Sequence, residues 1–150
     1  MDPVARELIE RLGLEAHPEG GWYIETWRAP ASPGERPAST VISFLLCSGE
    51  RSHWHRVDAD EIWCHQAGAT LTLSVAEGGG PIAHHRLDAG VGRPDGATAQ
   101  AVPHAVVPAG AWQAAETTGA WSLVTCVVAP GFDFAGFELA PPGWEPGAHR

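Results

Sequence analysis

The stretch His53-Trp54-His55-Arg56-Val57-Asp58-Ala59-Asp60-Glu61-Ile62-Trp63-Cys64-His65 gathers three imidazoles and a carboxylate within thirteen residues. In an extended strand alternate residues share a face, so His53 and His55 are expected to point one way and Glu61, Trp63 and His65 to share a face on the next strand. If both faces turn inward, these five side chains line one cavity, and Trp54 faces the other way, into core or a subunit interface. Two imidazoles and a carboxylate are a ligand set for a divalent metal such as Fe, Ni or Zn, and three protein ligands leave a position open for chemistry. An ionised Glu61 inside an apolar barrel is strongly unfavourable unless it is neutral, bonded to His or Arg, or bound to a metal.

The elements that would position these residues are short. MDPVARELIERLG reads as an amphipathic helix over residues 1–13, with Asp2 as cap, Pro3 in the first helical position, Val4, Leu8 and Leu12 on one face, and Gly13 as the stop. This is not the pattern of a signal peptide. Beyond residue 20 the helical period gives way to short apolar runs between Gly, Pro and Asp: Thr40–Leu46, Glu61–Gln66, Leu71–Val75, Ile82–Leu87, Ala99–Val107 and Ser122–Val128. That spacing predicts an all-β domain. The runs VISFLL and LVTCVV are nearly continuous in apolar residues, which predicts strands covered on both faces, as in a sandwich, closed barrel or double-sheet jelly roll. Turns are expected at Ser32–Pro37 and Glu77–Pro81, a mobile loop over Asp88–Gly96, and a Pro- and Gly-rich tail over 141–150 anchored by Trp144.

Composition bounds the partners. The 150 residues carry nine basic side chains, all Arg, against 18 acidic ones, for a formal charge of −9, which disfavours nucleic acid and anionic membranes. No run approaches the roughly 18 apolar residues of a membrane span. Cys47, Cys64 and Cys126 are an odd, widely spaced set with no CxxC pair, so a reducing, cytoplasmic setting is expected for a single domain spanning 1–150.

Several blocks resemble the cupins. The first cupin signature runs His-x-His, three or four residues, Glu, six residues, Gly; here Glu61 and Gly68 fit its second half, while five residues separate His55 from Glu61 and place Asp60 at the usual position. Glu61 is preferred, with Asp60 as the fallback, because a turn absorbs one residue more easily than a strand absorbs a change of register. The second signature aligns with Pro108-Ala109-Gly110-Ala111-Trp112-Gln113, where Gln113 stands in place of the last metal-binding His. His17-Pro18-Glu19-Gly20-Gly21-Trp22-Tyr23, Glu25-Thr26, Arg28 and Ala129-Pro130-Gly131-Phe132-Asp133-Phe134 complete a set that resembles the cupin-5 family of small proteins of unknown function. The resemblance implies a jelly-roll barrel (a double-stranded β-helix) with a short N-terminal helix, a homodimer, and a cavity lined by the two signature blocks. The HPEGGWY and APGFDF blocks are expected to serve turns and barrel closure.

Two functions follow. The first is a small-molecule enzyme with His53, His55, Glu61 and Gln113 as metal ligands; its metal-free variant resembles sugar-nucleotide epimerases, with His55 as base, Tyr23 as acid, and Arg28 among the arginines that would meet a diphosphate. The second is a metal-free binding barrel whose ligand-binding lining comes from Phe44, Trp63, His65, Trp112 and Gln113.

Overall fold

A computed structural model of the chain describes residues 1–91 and 100–147. Helix α1 (Pro3–Leu12) begins where Asp2 Oδ1 accepts the N–H groups of Val4 and Ala5, and ends at Gly13 in the left-handed conformation, φ 68°. Its buried face differs from the expected one. Ala5, Leu8 and Ile9 pack against Leu14, Leu45 and Cys47, while Val4 and Leu12 are exposed. The small Ala5 lets the helix lie close to the sheet, which rotates the stripe by one position.

Eleven strands follow among the described residues: β1 (Glu15–Ala16), β2 (Trp22–Arg28), β3 (Thr40–Cys47), β4 (Ser52–Val57), β5 (Asp60–Gly68), β6 (Leu71–Ala76), β7 (Ala83–Leu87), β8 (His104–Val107), β9 (Trp112–Thr117), β10 (Trp121–Ala129) and β11 (Phe137–Leu139). They form two antiparallel sheets, ordered β1-β2-β3-β10-β5-β8 and β11-β4-β9-β6-β7. The all-β jelly roll expected from the sequence is thus borne out. Residues 92–96 of the loop expected over 88–96, and of the run expected over 99–107 its first residue, lie outside the described residues, as do tail residues 148–150.

Coverage on both faces holds for the Phe44–Cys47 end of β3, whereas along β10 the inward Val124, Cys126 and Val128 are buried and the outward Leu123, Thr125 and Val127 are half-buried. In β3, Phe44 and Leu46 point into the barrel, and Leu45 and Cys47 point out against α1. The barrel interior is filled by Phe44, Leu46, Trp63, Leu71, Leu73, Leu87 and Val124, all fully buried. The outer face of the second sheet is covered by the tail: Trp144 packs on Trp112 with ring centroids 4.5 Å apart, beside Trp54, Ala114 and Ala140. Apolar side chains plug the barrel through its middle, and space remains at the end where β5 begins. No helix among the described residues is long and apolar enough to cross a membrane.

Candidate functional site

A cavity of about 650 Å³ opens at that end. On β5 the strand alternation holds: Glu61, Trp63 and His65 all turn inward and are buried. They reach different depths. Glu61 lines the cavity, Trp63 fills the barrel middle, and His65 sits at the far end, donating from Nε2 to Ala69 O (2.8 Å) and accepting at Nδ1 from Ala89 N–H (2.8 Å). Asp60, the fallback carboxylate, is exposed and accepts the N–H of Ala109 at 2.9 Å.

On β4 the alternation breaks. Ser52 pairs with Ala115 and His55 with Gln113, so three steps on β4 face two on β9, a β-bulge. The bulged backbone finds another partner, His53 N–H donating to Glu19 O at 2.8 Å. As a result Ser52 and His55, which a regular strand would turn to opposite faces, both reach Oε2 of Glu19, at 2.8 and 2.7 Å. His53 is diverted: its Nε2 meets Pro141 O at 2.9 Å, and it does not line the cavity. The expectation that His53 and His55 share one face is corrected by this bulge.

Glu19 arrives from outside both expected strands. The turn before β2 carries Gly20 at φ 107° and Gly21 at φ 81°; a Cβ on Gly20 would overlap the carbonyl of Arg51, and one on Gly21 would come within 2.9 Å of Leu45 O. Only glycines allow this approach, and it lays Glu19 against β4. His17 lines the cavity beside it, its ring 4.4 Å from that of Tyr23. Because His17 Nδ1 accepts the N–H of Glu19 at 3.1 Å, it holds no proton there, and the 3.4 Å approach to Glu19 Oε1 is not an ion pair. Burial also pulls the pKa of His17 down.

His55 is the charged member of the cluster. Burial alone would lower its pKa, but the Glu19 carboxylate at 2.7 Å, with smaller help from Glu61 and from His53 O, lifts it to about 9. Glu19 is correspondingly held low, the cost of burial being overcome by the charge and hydrogen bond of His55 and by Ser52. Glu61 goes the other way. Burial raises its pKa to about 7, Glu19 adds to the rise, and His55 and Gln113 oppose it. Gln113 donates from Nε2 to Glu61 Oε2 at 3.0 Å and accepts the indole N–H of Trp63 at Oε1, 2.7 Å. The Cys126 thiol lines the cavity on the other side of Glu61 and is held protonated by burial and by that carboxyl.

The residues expected to hold a metal do not fit one. His53 is directed away, both polar atoms of Gln113 are engaged, and His55 Nδ1 is committed to Glu19 and the backbone. Among the described residues no group of three or more His, Cys, Asp or Glu is arranged to hold a metal ion. The expected aromatic lining is also redistributed: Phe44 and Trp63 are barrel core, and Trp112 lies on the outer face with Arg56 stacked 4.7 Å over its ring. The cavity's own aromatics are Tyr23, Phe132, Phe134 and Phe137, the three phenylalanines in mutual edge contact at 4.8–5.9 Å. Arg28 lines the mouth with its guanidinium bonded to Glu25 and Phe132 O. His17 and Glu19 were the functional side chains that strand periodicity missed. Their signal was a His-x-Glu pair beside two glycines, which reads equally well as a turn.

The comparisons agree with this architecture. Residues 6–140 match the family model described as Cupin superfamily (DUF985). A solved protein of Shewanella oneidensis is 36% identical, with a TM-score of 0.82 over 91% of this chain and 84% of that one. A hypothetical protein of Leishmania major is 32% identical, with a TM-score of 0.77 over 91% and 86%. Oxalate decarboxylase of Bacillus subtilis shares the fold at 10% identity, TM-score 0.61, over 83% of this chain and 29% of that one. No curated protein matches the sequence.

Proposed function

The chain belongs to the cupin superfamily family DUF985, and from that membership and its buried acid–base cluster we propose that it is a small-molecule enzyme that moves a proton next to a carbonyl group. The observation that carries this reading is the 2.7 Å Glu19–His55 bond in the same cavity as Glu61. Around it the two carboxylates are pushed in opposite directions, Glu19 down and Glu61 up, the pattern of a site built for acid–base work. Glu61, near 7, is the base. His55, near 9, is the acid, with Nδ1 fixed by Glu19 and Nε2 left to meet a substrate.

In the step this implies, the Glu61 carboxylate takes a proton from the carbon beside the carbonyl. The electron pair of that C–H bond forms the new C=C bond, and the carbonyl oxygen receives a proton from His55 Nε2. The Glu61 proton then passes to the neighbouring carbon while the enediol O–H on the first carbon gives its proton to His55 Nε2 and becomes the new carbonyl, which completes an isomerisation. Alternatively the enol O–H returns its proton to His55 as the carbonyl reforms, the first carbon takes a proton from solvent on its opposite face and Glu61 loses its own to solvent, which completes an epimerisation. Neither route needs an oxidant or reductant. Tyr23, in the same cavity, supplies a phenolic O–H for a substrate hydroxyl. The phenylalanine cluster favours a second reading, a binding barrel without turnover.

The test is deuterium incorporation from D₂O into hydroxy-aldehydes and hydroxy-ketones, followed by NMR. Wild-type protein is expected to exchange the carbon-bound proton, and His55→Gln and Glu61→Gln to lose roughly 10²-fold or more. Binding without exchange in the wild type would select the binding barrel.

A further inference from the structure

Charge at the mouth of the cavity bears on what can enter. The two arginines that line it are spent. Arg28 holds Glu25 at 2.8 and 3.1 Å and Phe132 O at 3.1 Å, and Arg36 holds Asp58 at 2.7 and 3.1 Å and Gly131 O at 2.6 Å. Deeper in, the charge of His55 is matched by Glu19. Glu15 and Glu35 remain as lining carboxylates with no ion-pair partner among the described residues, while Asp133, which accepts the N–H of Ala135, lies in the field of Arg28 and Arg36.

An anion entering this mouth meets surplus negative charge and no free guanidinium. A carboxylate is acceptor-only, so it is satisfied by a ligand rich in O–H donors, which a phosphate or a second carboxylate cannot be. Tyr23 and the phenylalanine cluster offer faces for C–H groups beside these acceptors. We propose that the cavity takes a neutral polyhydroxylated aldehyde or ketone, that is a free aldose or ketose, and rejects phosphorylated, nucleotide-linked and carboxylated sugars. The proposal rests on the proton-transfer reading for its carbonyl, and on the mouth carboxylates for its exclusion of anions.

The experiment pairs binding with exchange. Free aldoses and ketoses, the matching sugar phosphates, uronic acids and amino sugars, and the alditols that lack a carbonyl are each screened at millimolar concentration by ligand-detected NMR and for deuterium incorporation. Neutral sugars are expected to bind and exchange at least tenfold faster than their phosphates or uronates, and alditols to bind without reacting. The double variant Glu15→Lys/Glu35→Lys is expected to shrink that preference about tenfold. Binding of neutral sugars and alditols with no exchange overturns the proton-transfer reading and leaves the ligand class standing. Exchange confined to phosphates, uronates or amino sugars overturns the ligand class and leaves the proton transfer standing. A preference unchanged in the double variant, or no binding of any neutral sugar, also overturns the ligand class.

Discussion

The indole N–H of Trp63 and the side-chain oxygen of Gln113 are 2.7 Å apart, and that bond decides which end of the amide faces Glu61. With Oε1 accepting from Trp63, only Nε2 can turn to the carboxyl, as a donor that favours its ionised form. A buried core residue thereby bears on the protonation of a cavity residue through the amide between them.

Trp63→Phe frees the amide to rotate and leaves an acceptor unpaired in the core, so it should cost about 1–2 kcal/mol of stability in denaturant titration. It should also raise the Glu61 pKa further, seen as an upward shift of its carboxyl signal in a ¹³C NMR titration. An unmoved titration would show that Gln113 keeps its orientation without Trp63.

Exchange activity should be bell-shaped in pH. Glu61 must be ionised, which needs pH above about 7, and His55 protonated, which needs pH below about 9. The limbs belong to the coupled pair. In Glu19→Gln the alkaline limb should move down by more than one pH unit and the maximum rate fall roughly 10²-fold, because His55 loses the charge that holds its proton. A profile identical to wild type would remove Glu19 from the mechanism.

Stability should follow a different curve. The raised pKa of Glu61 means that the folded state binds the extra proton between its ordinary value of 4.5 and about 7, so this group's contribution falls as pH rises through that range. The raised pKa of His55 contributes below 6.5 and is lost as pH climbs through about 9. The lowered pKa of Glu19 contributes above 4.5 and is lost on acidification. Stability is therefore expected to be greatest near pH 5, and Glu61→Gln to remove the decline toward pH 7, gaining about 2 kcal/mol at pH 8. Melting temperatures across pH for both proteins check this.

His53→Ala should change the exchange rate less than about twofold, since the ring meets the Pro141 carbonyl outside the cavity. His55→Ala should abolish it. Chelator treatment, or addition of Fe, Ni or Zn, should shift the melting temperature of the wild type by less than about 1 °C, as RT ln(1 + [L]/Kd) vanishes without a site. A stoichiometric metal lost only in His53→Ala would reverse the assignment made for the bulge.

Gly20→Ala should cost about 3 kcal/mol or more, because its Cβ meets the Arg51 backbone and the residue sits at φ 107°. Where that variant folds, weakened placement of Glu19 should lower the exchange rate. Failure to fold would leave Glu19→Gln as the measure of the carboxylate.

What the sequence disclosed follows the range of the forces concerned. Apolar runs report burial directly, so β3 and β10 and the inward side of Glu61, Trp63 and His65 were legible from period alone. Depth along the barrel was not legible, because whether an inward residue meets space or Leu73 depends on packing from the opposite sheet. Glu19 reaches Ser52 across 33 positions of sequence, a contact that no local spacing encodes. The bulge was hidden for a related reason: it is held open by His53 N–H bonding to Glu19 O, a partner from a distant turn.

That bulge acts on side chains as a frameshift acts on codons. Residues up to Ser52 are read in one phase and residues from His55 onward in the other, so one inserted position takes the first histidine out of the cavity while leaving both letters of the motif in place. Kinship in motif and divergence in chemistry can therefore be a single residue apart, and strand phase, counted from the partner strand, distinguishes them where a pattern of letters does not.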